Sequence, residues 1–518
     1  MISNMQTVKC QVQNSEKAAC GLTRMSERCP NLYLTLDIKL NVMRLSCVYL
    51  DFVNISCLPL GMSKQIPLLK VLSLSGNKLT YIPDDFGDFE NLVELCLSRN
   101  NIQMLPETLS KLKKLEMLKV NANVLTKLYS EIGQNVNLII LKVDANKLKR
   151  LPATLGLLKN LCVLEAQNNK INNIPPTIKF LIHLLKVNFS CNHLVDVPQT
   201  FGELKYLKHI DLSYNRLSSL CEIFNSSSTL EYLCLDFNRF STCPEWFNYL
   251  QNLSILSMTH NKLRNAALPN GFGLLNAKLN TLDLRGNFIT HLPDTVGKLH
   301  CLKKLYLGLG TSTVNTVRIA CIFGNWLEKL PDSFISLTSL TVLHINQNQL
   351  KEIPSEFGKL INLIDLHLDS NMLVKLPKSF PQLASLKRCH LSSNRISILP
   401  PDFGLLVTLT ELYLNSNKNK FDVVYSTCIT LKAMCYDEFV SFQKERLDEN
   451  AIYDKEIFFE RNDTQTSCLN YNTDEDWDKE ISISCIKKST ILKTEDFPKQ
   501  FLYAHDNNVD GQFESDIE

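Results

Sequence analysis

An asparagine returns every 23 residues through most of this chain, and that spacing constrains the fold more than any other feature. From Leu92 to Pro106 the residues read LVELCLSRNNIQMLP, a frame of L-x-x-L-x-L-x-x-N-x-I-x-x-L-P. Its asparagine falls at Asn77, Asn100, Asn123, Asn146, Asn169, Asn192, Asn215, Asn238, Asn261, Asn287, Asn325, Asn348, Asn371, Asn394 and Asn417, which makes fifteen copies. A degenerate copy precedes them at Leu45, Val48, Leu50, Val53, Ile55, Leu58 and Pro59, with Val53 in the asparagine slot. A fixed period of this size marks a solenoid, because one copy cannot bury its own leucines and must stack on its neighbours.

The L-x-L core of each copy reads as a short strand. Alternate residues of a strand point to opposite faces, so the leucines enter the core and the residue between them faces outward. Equivalent strands of successive copies then pair into one long parallel sheet. The asparagine stands where the chain leaves the strand, and its amide can bond backbone groups that the turn leaves unpaired. The Leu-Pro that follows starts the return, where no sheet hydrogen bond is required of the proline. Twelve of the fifteen copies keep that proline; those of Asn123, Asn215 and Asn417 lack it. The expected architecture is an α/β solenoid, a curved horseshoe of about 16 repeats of 23 residues with the parallel sheet on its concave face.

Two copies break the period. Asn261 and Asn287 are 26 residues apart, and the extra residues fall in RNAALPNGFGLLNAK, on the convex return. Asn287 and Asn325 are 38 apart; removing Leu309–Phe323 joins LKKLYLG to GNWLEKLP and restores the frame. The segment 309–323 therefore reads as an insertion at the concave edge. Residues 1–31 are polar and irregular, and a disordered segment is expected there. Residues 32–44 alternate in polarity and suggest a strand capping the first repeat, so the repeat domain is placed at 32–428. Leu431, Met434, Cys435, Phe439 and Phe442 recur at helical spacing, which predicts a capping helix over 429–447. The tail 448–518 is acidic and asparagine-rich, as disordered segments are.

Net charge is +2, unevenly spread: residues 437–518 carry 9 Lys+Arg and 21 Asp+Glu, hence −12, leaving +14 for the remainder. No Lys/Arg run suggests nucleic acid. No stretch has the length and apolarity of a membrane span, and the first residues lack an apolar leader core. Several of the eighteen cysteines occupy repeat positions, such as Cys96, Cys234, Cys243 and Cys389, and no C-x-x-C pair occurs. Reduced thiols in a cytoplasmic protein fit that pattern, with any membrane association peripheral and through partners. No serine–histidine–acid constellation occurs, so no enzyme activity and no cofactor are expected.

One outward column can be read from the residue between the two strand leucines. It holds Lys119 and Lys142, a basic spot; Glu165, Asp211 and Asp283, which with the neighbouring Asp236 make the centre acidic; and Tyr306, His344, His367, His390 and Tyr413, an aromatic and imidazole strip. Asp365 adjoins that strip. These residues are the candidate partner-binding surface. Rings in this register should stack about 4.8 Å apart, the strand spacing. Protonating one histidine would then disfavour its neighbours, and an acidic partner would bind better as pH falls towards 6. Evenly spaced rings on a flat sheet do not converge on a tetrahedral centre, so no metal is expected. Ser257, in the same column, is expected only to face water.

The frame LxxLxLxxNxLxxLPxxFGxLxxL, with Phe-Gly pairs such as Phe86-Gly87, Phe201-Gly202, Phe357-Gly358 and Phe403-Gly404, resembles the cytosolic Ras-group leucine-rich repeat proteins over roughly residues 45–420. These include the leucine-rich Ras-suppressor scaffolds and the repeat domains of Erbin and Scribble. The resemblance implies a non-enzymatic scaffold that binds small GTPases, phosphatase subunits or other signalling proteins on its concave face. Nothing in the chain reads as a PDZ domain, which sets it apart from the polarity scaffolds. The other reading of such a solenoid is an assembly component of a cytoskeletal or ciliary complex.

Overall fold

The structure, a computed structural model, describes residues 8–9, 44–220, 229–265, 267–274, 276–308 and 324–417. The expected insertion at 309–323, the cap strand over most of 32–44, the capping helix at 429–447 and the segments 1–31 and 448–518 lie outside those residues, apart from Val8–Lys9 and Arg44.

Each repeat contributes a three-residue strand, from Cys47–Tyr49 to Glu411–Tyr413, and sixteen of these join one parallel sheet. Val8–Lys9 adds a seventeenth, pairing with Val48 and Tyr49 at the edge where a cap is needed. Pairing is in register throughout, so that Leu72 faces Leu95, Leu95 faces Leu118 and Leu118 faces Leu141. One-residue slips are forbidden because they would turn every leucine to water. Leu72, Leu95, Leu118 and Leu141 have no solvent exposure and belong to one continuous core that runs from Ile55 to Leu409. Full burial of a leucine is worth about 1.5–3 kcal/mol, and truncating one to alanine costs about 2–5 kcal/mol once the cavity is included.

Most return strokes are 3-10 turns, as at Asp84–Asp88, Glu107–Lys111 and Asp332–Ser336, while the first repeat has one α-helical turn at Met62–Gln65. A 23-residue unit leaves too little chain for more. The Leu-Pro proline sits just before the turn: Pro83 has φ −62°, and its carbonyl accepts the first bond of the turn from Phe86 N at 3.1 Å. Proline suits that site because only its carbonyl is used. In the Asn123 copy, which lacks the proline, Tyr129 takes its place, fully buried, with its hydroxyl donating to Asn135 Oδ1 at 2.6 Å. The Phe-Gly pairs are explained by close stacking, since a Cβ on Gly87 would collide with the Thr108 carbonyl of the next repeat.

The asparagines form a continuous ladder. Asn146 Nδ2 donates to Val120 O and Val143 O, both at 3.0 Å, and to Asp144 O at 3.1 Å. Its Oδ1 accepts from Leu125 N at 2.9 Å. One side chain thus satisfies carbonyls of two repeats and an amide of the preceding one. The residue before the asparagine is left-handed in fourteen of the fifteen copies, as at Arg99 (φ 53°), Ala122 (φ 52°) and Ala145 (φ 50°). That conformation costs an ordinary residue about 1–2 kcal/mol, and the bonds of the adjacent carboxamide offset it. In the degenerate first copy, Asn77 of the next repeat serves Val53 N and Ile55 N instead. Within the long copy before Asn287, Arg264–Asn265 pairs in parallel with Phe288–Ile289, so the extra residues are partly ordered as a two-stranded ribbon.

Candidate functional site

Five consecutive strands, Lys304–Tyr306, Val342–His344, Asp365–His367, Arg388–His390 and Glu411–Tyr413, hold the aromatic and imidazole strip in exact register. The ring centroids are 5.1 Å apart from Tyr306 to His344, edge to face, then 4.0, 3.9 and 4.1 Å through His367, His390 and Tyr413, stacked. The stacked spacings fall below the expected 4.8 Å because side chains on the inside of a curved sheet converge.

Asp365 lies beside this stack, one column over. Its Oδ2 accepts from Arg388 at 2.9 Å and stands 3.4 Å from His344 Nε2, while its Oδ1 stands 3.2 Å from His367 Nε2. Burial by itself would raise this carboxyl; the contacts from His344, His367 and Arg388 overcome burial and hold it well below the usual carboxylate range. Burial pushes His344 below the ordinary imidazole value, with Asp365 opposing and His367 reinforcing the shift. Burial, then the charge of His367, takes His390 down to about 4. These shifts run against the expectation of tighter binding towards pH 6, since burial lowers both His344 and His390 by penalising the charged form.

The remaining candidates are more tied up than their residue types suggest. Lys119 and Lys142 are paired across adjacent strands, but Lys142 Nζ lies 2.9 Å from Glu165, which Lys186 also meets at 3.2 Å. The basic spot and the acidic centre therefore neutralise one another at that border. Asp211 Oδ1 accepts from the backbone and hydroxyl of Ser213, at 2.9 and 2.7 Å. Asp236 accepts from Ser257 Oγ and Thr259 N, both at 2.6 Å, and burial followed by the nearby Asp283 raises it to about 6. Ser257 thus does not merely face water, as the column alone implied; it fixes the half-buried side chain of Asp236 in the neighbouring column. Asp283 is gripped by the Arg285 guanidinium at 2.5–3.0 Å, and that guanidinium also lies 4.9 Å from the centre of the Tyr306 ring. Arg285 is thereby the joint between the acidic centre and the strip.

A second ladder escaped the single-column reading. Tyr214, Phe237 and His260, each just before a ladder asparagine and left-handed, stack at 4.2 Å and within 12° of parallel. The signal was present at the same 23-residue period, one column further along. Arg388 was missed for a similar reason, since it is read only by scanning the column before the strand leucine.

Among the described residues no helix is long and apolar enough to cross a membrane. The family model described as "Leucine-rich repeat region" matches residues 39–270, and that described as "Leucine Rich Repeat" matches residues 339–360. Curated proteins offer no match to the sequence. Among solved structures, the chain is similar to a leucine-rich repeat protein from Leptospira interrogans, at 31% identity and a TM-score of 0.65, covering 73% of this chain and 91% of that one. It is also similar to a TDR receptor, at 29% identity and a TM-score of 0.61, covering 72% of this chain and 64% of that one. The repeat ectodomain of the Arabidopsis thaliana membrane receptor kinase GASSHO1/SCHENGEN3, in complex with CASPARIAN STRIP INTEGRITY FACTOR 2, is 26% identical with a TM-score of 0.54; the match covers 70% of this chain and 46% of that one. The chain thus spans less than two thirds of the length of both receptors.

Proposed function

This chain belongs to the leucine-rich repeat family, and from that premise we propose that it is a non-enzymatic scaffold of intracellular signalling that docks a protein partner on its concave face. The observation that carries this reading is the five-ring stack from Tyr306 to Tyr413, held by five strands in register. Aromatic rings beside charged groups are the usual makings of an interface hot spot, because they bury much area at little entropic cost. A rigid sheet supplies the preorganisation that a loop would lack. The Arabidopsis ectodomain, captured in complex with CASPARIAN STRIP INTEGRITY FACTOR 2, is a precedent for such a solenoid holding another molecule.

The resemblance to the Ras-group leucine-rich repeat proteins, carried by the 23-residue frame and its Phe-Gly pairs, implies a small GTPase or a phosphatase subunit as the partner. Cys96, Cys191, Cys234, Cys243 and Cys389 form no disulfide, which supports a reducing, cytoplasmic setting. The test is affinity purification of the full chain beside the triple variant His344→Asn, His367→Asn, His390→Asn and a convex-side control, Lys113→Ala. Signalling partners should be lost with the triple variant alone, at unchanged thermal stability. Equal recovery from all three proteins would overturn the assignment of the strip.

A further inference from the structure

We propose that His344, Asp365 and His367 form a binding site for one zinc-class divalent ion. Each offers a donor atom, and the three lie within 4.8 Å of one another. Asp365 Oδ2 stands 3.4 Å from His344 Nε2, and Asp365 Oδ1 stands 3.2 Å from His367 Nε2. Zinc bonds of about 2.0–2.1 Å in a tetrahedron set neighbouring ligand atoms about 3.3–3.4 Å apart. Each of these two contacts is close to that edge length, one through each oxygen of the carboxylate, and all three donors lie within 4.8 Å, so side-chain rotation without strand movement brings them onto one ion.

A second observation points the same way. The Asp365 side chain is nine-tenths buried, and its Oδ1 accepts no hydrogen bond of ordinary geometry. Its other oxygen is occupied by Arg388. A buried carboxylate oxygen left without a proper donor is costly, and a bound cation satisfies it directly. His367 turns its other nitrogen, Nδ1, toward Asp369 Oδ1 at 4.0 Å, the side on which a metal-bound imidazole is customarily steadied by a carboxylate.

Two imidazoles and one carboxylate favour zinc, cobalt, nickel or copper over magnesium or calcium, which want oxygen ligands. Three protein ligands leave one position open. It faces the concave surface, since the His344 and His367 side chains remain 22% and 15% exposed. Water, or a donor from a docked protein, completes the centre there. His367 is also within reach of Asp369 and His390, but both of those residues are less buried than Asp365, and neither offers an orphaned buried oxygen, so the ion belongs to the Asp365 group. The expectation that the ladder could not converge considered one column only; the convergence comes from Asp365 in the next.

The ion alone is the probe, so the outcome does not rest on the protein-binding reading. The full chain, stripped with chelator and kept reduced, is titrated with Zn2+ by calorimetry and with Co2+ by visible ligand-field absorption. Wild type should take one equivalent at this site. His344→Asn and Asp365→Asn should each weaken it at least tenfold, His390→Asn should not, and Mg2+ should not bind. Zn2+ should also raise the melting temperature of wild type and not that of His344→Asn, which keeps the test readable if Asp365→Asn folds poorly. If wild type and both ligand variants bind Zn2+ and Co2+ alike, the metal is held by thiols or is adventitious, and the site is disproved.

Discussion

Gly324 lies against Gly308: a methyl group on Gly324 would stand 3.0 Å from the Gly308 carbonyl carbon, although fifteen residues separate the two in sequence. Each bonds the following repeat, Gly308 N to His344 O and Gly324 N to Gln347 O, both at 3.1 Å. The repeat is thus closed across the segment between them, beside the Tyr306–His344 pair.

Deleting Leu309–Phe323 should leave the melting temperature unchanged or raise it, because the junction is already made and ordering a long loop costs entropy. Thermal unfolding of the deletion variant checks this. A fall of several degrees would show that the segment contributes packing. Gly308→Ala should do the opposite and destabilise, by about 1–3 kcal/mol, since its methyl would meet the Asn346 carboxamide.

Asn146→Leu should lower the denaturation midpoint far more than Gln103→Leu. The first removes bonds to Val120 O, Val143 O and Leu125 N, and each buried group left unpaired costs about 1–3 kcal/mol. Gln103 is exposed. Matching midpoints in a urea titration would show that the asparagine ladder is dispensable.

Glu165→Ala should destabilise more than the triple replacement of Lys142, Glu165 and Lys186 by Met, Leu and Met. Glu165 and Lys186 are nearly buried, with side-chain exposures of 10% and 11%. Removing only the acid strands a buried ammonium, for a loss of about 3–5 kcal/mol, whereas removing all three groups strands none. Equal losses from the two variants would refute the buried-pair account.

Stability should fall as pH drops from about 6.5 towards 4. Burial takes His209 and His390 down to about 4, so in that window the unfolded chain binds protons that the folded chain refuses. Asp236, raised to about 6, has the opposite sign: the folded chain keeps a proton that the unfolded chain has released, so acidification through pH 6 stabilises through this group. His390→Asn should therefore flatten the decline in melting temperature between pH 7 and 5, and Asp236→Asn should steepen it. Parallel profiles for the three proteins would contradict both assignments.

The repeat register was legible because a 23-residue period is a one-dimensional signal, and the strand leucines, the asparagine and the Leu-Pro each occupy a fixed place in it. The five-ring column was legible for the same reason, since Tyr306, His344, His367, His390 and Tyr413 share one slot. Lys142 with Glu165 was less so: the column placed them side by side, but not Lys186, which completes the pair from the adjacent column. Ser257 and Asp236, and Asp365 with Arg388, were hidden likewise.

What the sequence determined by itself was order along the solenoid axis: which residue follows which in each column, which face carries the leucines, and where the frame is interrupted. Periodicity suffices for that, because parallel in-register pairing maps one repeat onto the next. What only the tertiary structure decided was contact across columns. Sheet curvature draws the rings to 3.9–4.1 Å, and side-chain rotamers turn Asp365 towards two imidazoles and a guanidinium. Those distances depend on how many weakly specified torsions settle together, and no period in the chain records that.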